Sequence, residues 1–315
     1  MAAPTLTISS GNEVVFPKFD DIKVSTKTFI VMSNLDINII NLFDQLPVTD
    51  YEVIPKRRGR KKKSSVVDPN QDIKDGSIIT LEYEGKIRGV DLKKKRSKKK
   101  NRGNYFRNSV TIVMTMPENK KINFKVSRNG KFQMTGCKID AHAEKCIEYM
   151  WSYMKDMKDV YTMKGDCFKV MFIPAMRNID FALGFLVNRE NLDMYINEQT
   201  EYHSLLETSF GYTGVNIKIP VSTPLEALKY KEFECDNSGI WTNKVVKYQQ
   251  YLDDLPEKER EKKIKKERFN TFLVFHSGKI IMSGTEADVM RPTYYEFIDI
   301  IKKCYSLIEE RLEKE

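Results

Sequence analysis

The sequence predicts an α+β fold made of two copies of one unit. Each copy runs strand, helix, three or more strands, long helix, and the copies are expected to join into one curved antiparallel sheet with helices on one side. Three observations carry this expectation. First, "FKVSRNGKFQMTG" (124–136) and "FLVFHSGKIIMSG" (272–284) share Phe, Val, Gly, Lys, Met and Gly at matched positions, 148 residues apart. Both read as strand, Gly-Lys turn, strand, the pattern of a β-hairpin. Second, "VMSNLD" (31–36) is echoed by "AMRNID" (175–180), and each follows an apolar, strand-like run. Third, each copy closes with a segment of helical periodicity. Strands with a single buried face need helices over that face.

The elements follow in order. A tail, 1–22, precedes the first copy, 23–160. That copy starts with the strand "TFIVM" and a helical segment at 36–46, and has a second strand, "SVTIVMTMP", ending in Met-Pro at 116–117. The hairpin turning at "RNGK" comes next, then "IDAHAEKCIEYMWSYMKDM", which puts Ala143, Ile147, Met150, Met154 and Met157 on one helix face. The second copy, 161–315, repeats the order: "KVMFIPAM", a helix at 188–199 starting at Asn188, "GVNIKIP" ending in Ile-Pro at 219–220, and the hairpin turning at "HSGK". Its closing helix, "PTYYEFIDIIKKCYSLIEERLEKE", sets Tyr294, Phe297, Ile298, Ile301, Tyr305 and Leu307 on the apolar side, with Pro292 at the entry.

Two insertions interrupt the copies. The first, about 56–104, opens with "KRRGRKKK", closes with "KKKRSKKKNR" and holds a hairpin, "GSIITLEYEGKIRGV". The second, about 222–268, ends in "PEKEREKKIKKER", an exposed helix with Glu259–Lys263 and Glu261–Lys265 pairs. Charge is concentrated in the first. Residues 56–102 hold 18 basic and 6 acidic side chains, a balance of +12 against +9 for the whole chain, so the remainder stands at −3. A strong positive field therefore belongs to the insertion and not to the scaffold. The basic runs lack interleaved aromatics, so they suit phosphates rather than bases, or an import signal.

Composition excludes several classes. No apolar run approaches the ~18 residues of a membrane span, and "MAAPTLTISS" lacks the features of a signal peptide. Five scattered cysteines give no disulfide framework and imply a reducing compartment. Cys137, His142 and Cys146 stand at C-x4-H-x3-C without a fourth ligand nearby, so no metal is expected. "HSGKI" lacks the upstream Gly and the Ser/Thr of a phosphate loop. The three histidines, 142, 203 and 276, lie near no matched acid and nucleophile, so no enzyme and no cofactor is expected.

The duplicated unit and its "LVFHSGKIIMSG" hairpin resemble the TATA-box-binding protein family. The match is close there and at "YYEFIDII", good at "NGKFQMTGCK", and weaker elsewhere; it suggests a divergent member like the TATA-binding-like proteins of large DNA viruses. The resemblance implies a saddle: two pseudo-symmetric half repeats forming the curved sheet, helices on the convex side, and the concave face on a widened DNA minor groove. Proteins of this kind insert apolar wedges between base steps.

Carried over residue by residue, the resemblance makes Phe275 a wedge, Phe210 (ten before Pro220) its partner, and Phe106 (eleven before Pro117) a wedge of the first half. Ser127 stands where the fourth would be. Minor-groove contacts fall on Thr135 and Ser283, on Gln133 and Ile281 two residues earlier, and on Asn178 in one of two registers; the other puts Thr28 and Phe172 there. Lys131, Lys279 and Lys138 would meet phosphates, with Glu286 where the second half would repeat Lys138. A basic arm comprises Lys56, Arg57, Arg58, Arg60, Lys61, Lys62, Lys63, Lys93, Lys94, Lys95, Arg96, Lys98, Lys99, Lys100 and Arg102.

The implied function is that of a TATA-binding-like transcription initiation factor. It would bind and bend double-stranded promoter DNA and recruit a transcription factor IIB-like protein and RNA polymerase, in the nucleus or a cytoplasmic viral factory. No membrane and no small-molecule substrate is implied. The alternative is a saddle with a degenerate DNA face, serving as a protein-interaction platform; the −3 scaffold, Ser127, Gln133 and Glu286 favour it.

Overall fold

The computed structural model describes residues 16–53, 69–92, 107–118, 120–206 and 214–310. In chain order the first elements are β1 (Val24–Ser33), β2 (Leu35–Ile37), α1 (Ile39–Gln45), β3 (Ile78–Tyr83) and β4 (Lys86–Gly89). Then come β5 (Ser109–Met116), β6 (Lys120–Ser127), β7 (Lys131–Cys137), α2 (Asp140–Met154), β8 (Tyr161–Met163) and β9 (Phe168–Ala182). β10 (Leu186–Val187), α3 (Arg189–Gln199), β11 (His203–Leu206), β12 (Gly214–Pro220), β13 (Lys229–Cys235) and β14 (Trp241–Lys247) follow. The chain closes with α4 (Tyr248–Asp253), α5 (Glu257–Ile264), β15 (Phe269–Phe275), β16 (Lys279–Gly284), α6 (Ala287–Ile308) and β17 (Glu309–Glu310).

These elements form two compact units. The N-terminal unit comprises Thr28–Ile173 and Lys231–Lys244; the C-terminal unit comprises Met1–Lys27, Pro174–Tyr230 and Val245–Glu315.

In the N-terminal unit, β1, β7, β6, β5, β3 and β4 are neighbours in that order, while β13 pairs with the start of β9 and carries β14. Alternation in β6 and β7 turns Ile122, Phe124, Val126, Phe132 and Met134 inward. They meet Ala143, Cys146, Ile147, Met150 and Met154 of α2, four of the five residues expected on that face plus Cys146. The fifth, Met157, packs on the same core from just beyond the helix. Asn38 begins α1, its side chain accepting from the Asn41 N–H. The expected hairpin in the basic insertion exists as β3 and β4, turning at Glu84 (φ 47°) and Gly85 (φ 79°). It is no appendage: Ile78, Ile79 and Leu81 are fully buried, and β3 pairs with β5.

In the C-terminal unit, β11, β12, β15, β16 and the end of β9 are neighbours in that order. Val215, Ile217, Phe272, Val274, Ile280 and Met282 face α6, whose Phe297 ring stacks on Phe272 at 4.1 Å. Asn188 begins α3 as expected and accepts from the Asn191 N–H. α6 starts at Ala287, so Pro292 lies inside it; Leu307, expected on the apolar side, is 55% exposed, and Ile308, seven residues after Ile301, is buried instead. Ahead of β1, Phe19 is buried between Tyr294 and the guanidinium of Arg291, and Asp20 pairs with Arg291 at 2.8 Å. α5 is exposed and carries the expected Glu261–Lys265 pair at 2.8 Å, whereas Lys263 lies over the Tyr251 ring.

The two Gly-Lys turns are built alike. Gly130 (φ +67°) and Gly278 (φ +73°) adopt a left-handed backbone, and a Cβ on either would lie 2.2 Å from a carbonyl oxygen, of Leu35 or of Phe185. Those two residues are 150 apart, as are the cap residues Asn38 and Asn188. Asn178 thus corresponds to Thr28, not to Asn34, so the echo between "SNLD" and "RNID" marks no equivalent positions.

The expected saddle of two pseudo-symmetric halves is corrected. The fold is mixed α+β, with a large antiparallel sheet and separate helices, and the sheet neither curls nor closes. The order of the C-terminal unit ends on β11 and that of the N-terminal unit on β4, each an edge strand paired on one side only among the described residues. The reason lies in the insertions. They add the β3–β4 and β13–β14 hairpins to the N-terminal unit, so the units differ in strand content and an open edge is extended rather than closed.

Candidate nucleic-acid interface

In the C-terminal unit the sheet face turned away from α6 carries several of the expected site residues. Cross-strand registers define its rows, which lie about 7 Å apart along the strands. One row reads His203, Lys218, Thr271, Ser283, Asn178. The next reads Leu205, Asn216, Leu273, Ile281, Asp180. Beyond it Gly214 faces Phe275, and Lys279 faces Ala182. The structure therefore sets Phe275, Ile281, Ser283, Asn178 and Lys279 on one face, in adjacent rows.

The chemistry of this face is mixed in a definite way. Leu273, Ile281 and Phe275 are half-buried and Leu205 is 59% exposed, so its middle is apolar. Hydroxyls of Thr271 and Ser283 lie beside them. Lys279 and Lys218 are exposed, and the Lys218 ammonium sits 5.9 Å from the Phe269 ring. The side-chain oxygens of Asn178 and Asn216 are buried and lack hydrogen-bond partners among the described residues. A buried acceptor of this kind calls for a donor from elsewhere.

The N-terminal unit presents the equivalent face with different residues. Glu82, Thr111, Lys125 and Gln133 form one row, and Val113, Asn123 and Thr135 another. Gln133 and Thr135 are exposed, and the Thr135 hydroxyl donates to the Asn123 carbonyl at 3.2 Å. Ser127 stands opposite Ser109, so this pair carries no aromatic ring. Lys131 opens β7 half-buried; Lys138 follows the strand, exposed, its N–H donating to His142 Nδ1 at 3.3 Å. Phe106, Phe210 and the whole basic arm, Lys56–Lys63 and Lys93–Arg102, lie outside the described residues.

Sequence reasoning missed Leu205, Asn216, Leu273, Asp180, Lys218 and Phe269 on the C-terminal face. The signal was in the alternation of "FNTFLVF", which puts Phe269, Thr271, Leu273 and Phe275 together on the outer side of β15. No group of three or more His, Cys, Asp or Glu is placed to hold a metal among the described residues. Of the C-x4-H-x3-C set, Cys137 and Cys146 are buried in the core. Burial, with Cys137 adjacent, pushes the Cys146 thiol far up, and burial, with Lys120 nearby, holds the His142 imidazole below its ordinary value. No described helix is long and apolar enough to cross a membrane.

Comparison with known proteins gives a family resemblance without membership. No family model matches the chain. An uncharacterized protein of Invertebrate iridescent virus 6, 335L, is 23% identical over 289 residues, covering 89% of this chain and 83% of that protein. A TATA-box-binding protein-like protein of Acanthamoeba polyphaga mimivirus is 27% identical over 206 residues, covering 60% of this chain. The match spans 53% of that relative's own length. The solved structure of Methanococcus jannaschii TBP aligns over 91% of this chain and 99% of its own, at 13% identity and a TM-score of 0.45. The chain thus resembles TATA-binding-like viral proteins at low identity.

Proposed function

We propose that the chain is a TATA-binding-like transcription initiation factor. It holds double-stranded promoter DNA by the minor groove, on the helix-free face of the C-terminal unit, and recruits a transcription factor IIB-like protein and RNA polymerase. The observation that carries this reading is the pair of adjacent rows containing Thr271, Ser283 and Asn178, and Leu273 and Ile281, with Phe275 and Lys279 beside them. A minor-groove floor offers few polar groups, so an apolar face interrupted by hydroxyls and amides suits it. Ser283 and Thr271 can donate to adenine N3 and thymine O2. Phe275 stands at the end of the face, where a ring can enter a base step and bend the duplex. Lys279 and Lys218, with the basic arm, neutralise phosphates.

The test is retention of a mixed-sequence duplex by the full chain, with a minor-groove-binding drug as competitor. Displacement by the drug is expected. Binding that ignores it, while cytosine methylation in the major groove weakens the complex, would refute the assignment.

A second reading is favoured by the N-terminal unit, whose equivalent face is polar and has Ser127 in place of an aromatic. It makes the chain a protein-interaction platform within a transcription complex. Failure to retain any duplex, together with co-purification of a transcription protein, would select it.

A further inference from the structure

Asp180 ends the apolar row of the C-terminal unit, opposite Ile281 and in line with Leu273 and Asn216. It is exposed. The Ser25 hydroxyl donates to its Oδ1 at 3.1 Å, and Oδ2 has no partner among the described residues. Two residues away, Asn178 presents a buried side-chain oxygen that is also unpartnered. An amide can turn to offer its NH2 group, but a carboxylate only accepts. Resting on the minor-groove reading above, we infer that Asp180, with Asn178 beside it, makes this face select a base pair carrying a minor-groove amino group.

The reason is the chemistry of the groove. A·T and T·A pairs show only the acceptors N3 and O2 there, while G·C adds the guanine N2 amino donor. A carboxylate against an A·T floor meets acceptors alone, and narrow A-tracts deepen the negative potential it must enter. Against G·C it gains a hydrogen bond from the amino group. Ile281 and Leu273, the next two residues along the row, are apolar and gain nothing from that amino group, so the preference belongs to the position Asp180 meets.

Four alternating duplexes separate the amino group from every other feature: A·T, G·C, inosine·C and 2,6-diaminopurine·T. Inosine·C keeps the major groove of G·C without the N2 amino group, and diaminopurine·T adds that group to an A·T major groove. The full chain is expected to bind G·C and diaminopurine·T about tenfold tighter than inosine·C and A·T, the worth of one hydrogen bond to a charged acceptor. Asp180→Val and Asp180→Asn, at an exposed site where folding is undisturbed, are expected to remove that ratio. Equal or weaker binding of the amino-bearing duplexes would overturn the inference and leave the minor-groove reading standing. A preference retained by both variants would overturn the role of Asp180. Binding to none of the four would end both readings.

Discussion

Replacing Gly130 by Ala is expected to cost far more than the same change at Gly136, six residues on at the other end of β7. Both glycines have a left-handed backbone, φ +67° and +79°. At Gly136 an added Cβ meets nothing within 4 Å. Its cost is the left-handed strain of an L-residue, about 1–2 kcal/mol, reduced by about 0.4–1 kcal/mol because the unfolded chain loses freedom. At Gly130 the same strain applies, and the Cβ would also lie 2.2 Å from the Leu35 carbonyl oxygen and 2.5 Å from Ser33 Oγ. The turn must shift, which breaks the bonds that the Gly130 carbonyl accepts from the Ser33 N–H (3.1 Å) and hydroxyl (2.8 Å). At about 1 kcal/mol each, these bring the total to roughly 3 kcal/mol. The assay is urea unfolding followed by tryptophan fluorescence. Both tryptophans, Trp151 and Trp241, belong to the N-terminal unit, so the signal reports that unit alone. With a slope of about 1–3 kcal/mol per molar urea, the midpoint should fall by at least ~1 M for Gly130→Ala and by less than half as much for Gly136→Ala. Equal midpoints would refute the argument that close approach to Leu35, rather than φ alone, requires glycine at the turn.

Two further outcomes are expected. The Cys167 thiol donates to Glu234 at 2.9 Å, and that carboxylate holds it above its ordinary value. Glu234→Gln should lower the thiol pKa, raise the thiolate fraction and speed alkylation at pH 8, read by peptide mass spectrometry; an unchanged rate would contradict the assigned cause. Replacing the fifteen Lys and Arg residues of 56–63 and 93–102 by Gln removes fifteen positive charges and leaves the β3–β4 hairpin, with its buried β3, in place. The slope of log affinity against log salt on duplex DNA should then flatten strongly, and an unchanged slope would mean that the scaffold itself supplies the phosphate contacts.

What could be read from the sequence was local. The hairpins, the Asn cap of α3, and most of the buried faces of α2 and α6 follow from alternation, helical period and side-chain capping, all written within a few residues. The equivalence of Asn34 and Asn178 was misread because the apolar-Asn-apolar-Asp pattern recurs by composition, whereas the true correspondence is set by what packs against the turn glycines, Leu35 and Phe185. The β3–β4 hairpin was legible as a hairpin within the basic insertion, but its place in the core was not: Ile78, Ile79 and Leu81 are buried and β3 joins the sheet beside β5. Curvature and closure depend on how strands pair over long separations and on which edges insertions extend, and no short motif encodes either. Of the candidate face, the part carried by the hairpin could be read from the sequence: Phe275, Lys279, Ile281 and Ser283 share one side by alternation. Asp180 and Asn216 belong to strands whose register with β16 and β15 only the structure supplies.

The most direct measurement of minor-groove binding by the C-terminal face is the distance between dyes at the two ends of a bound duplex, compared for the natural chain and Phe275→Ala. Phe275 is half-buried at the open end of β15, facing Gly214. Its removal should leave the fold intact, relax the bend toward the free-duplex distance and weaken binding by about 1–3 kcal/mol, the worth of an aromatic–base contact. An identical end-to-end distance and identical affinity for the two proteins would show that this ring does not enter the duplex and would contradict minor-groove binding by this face.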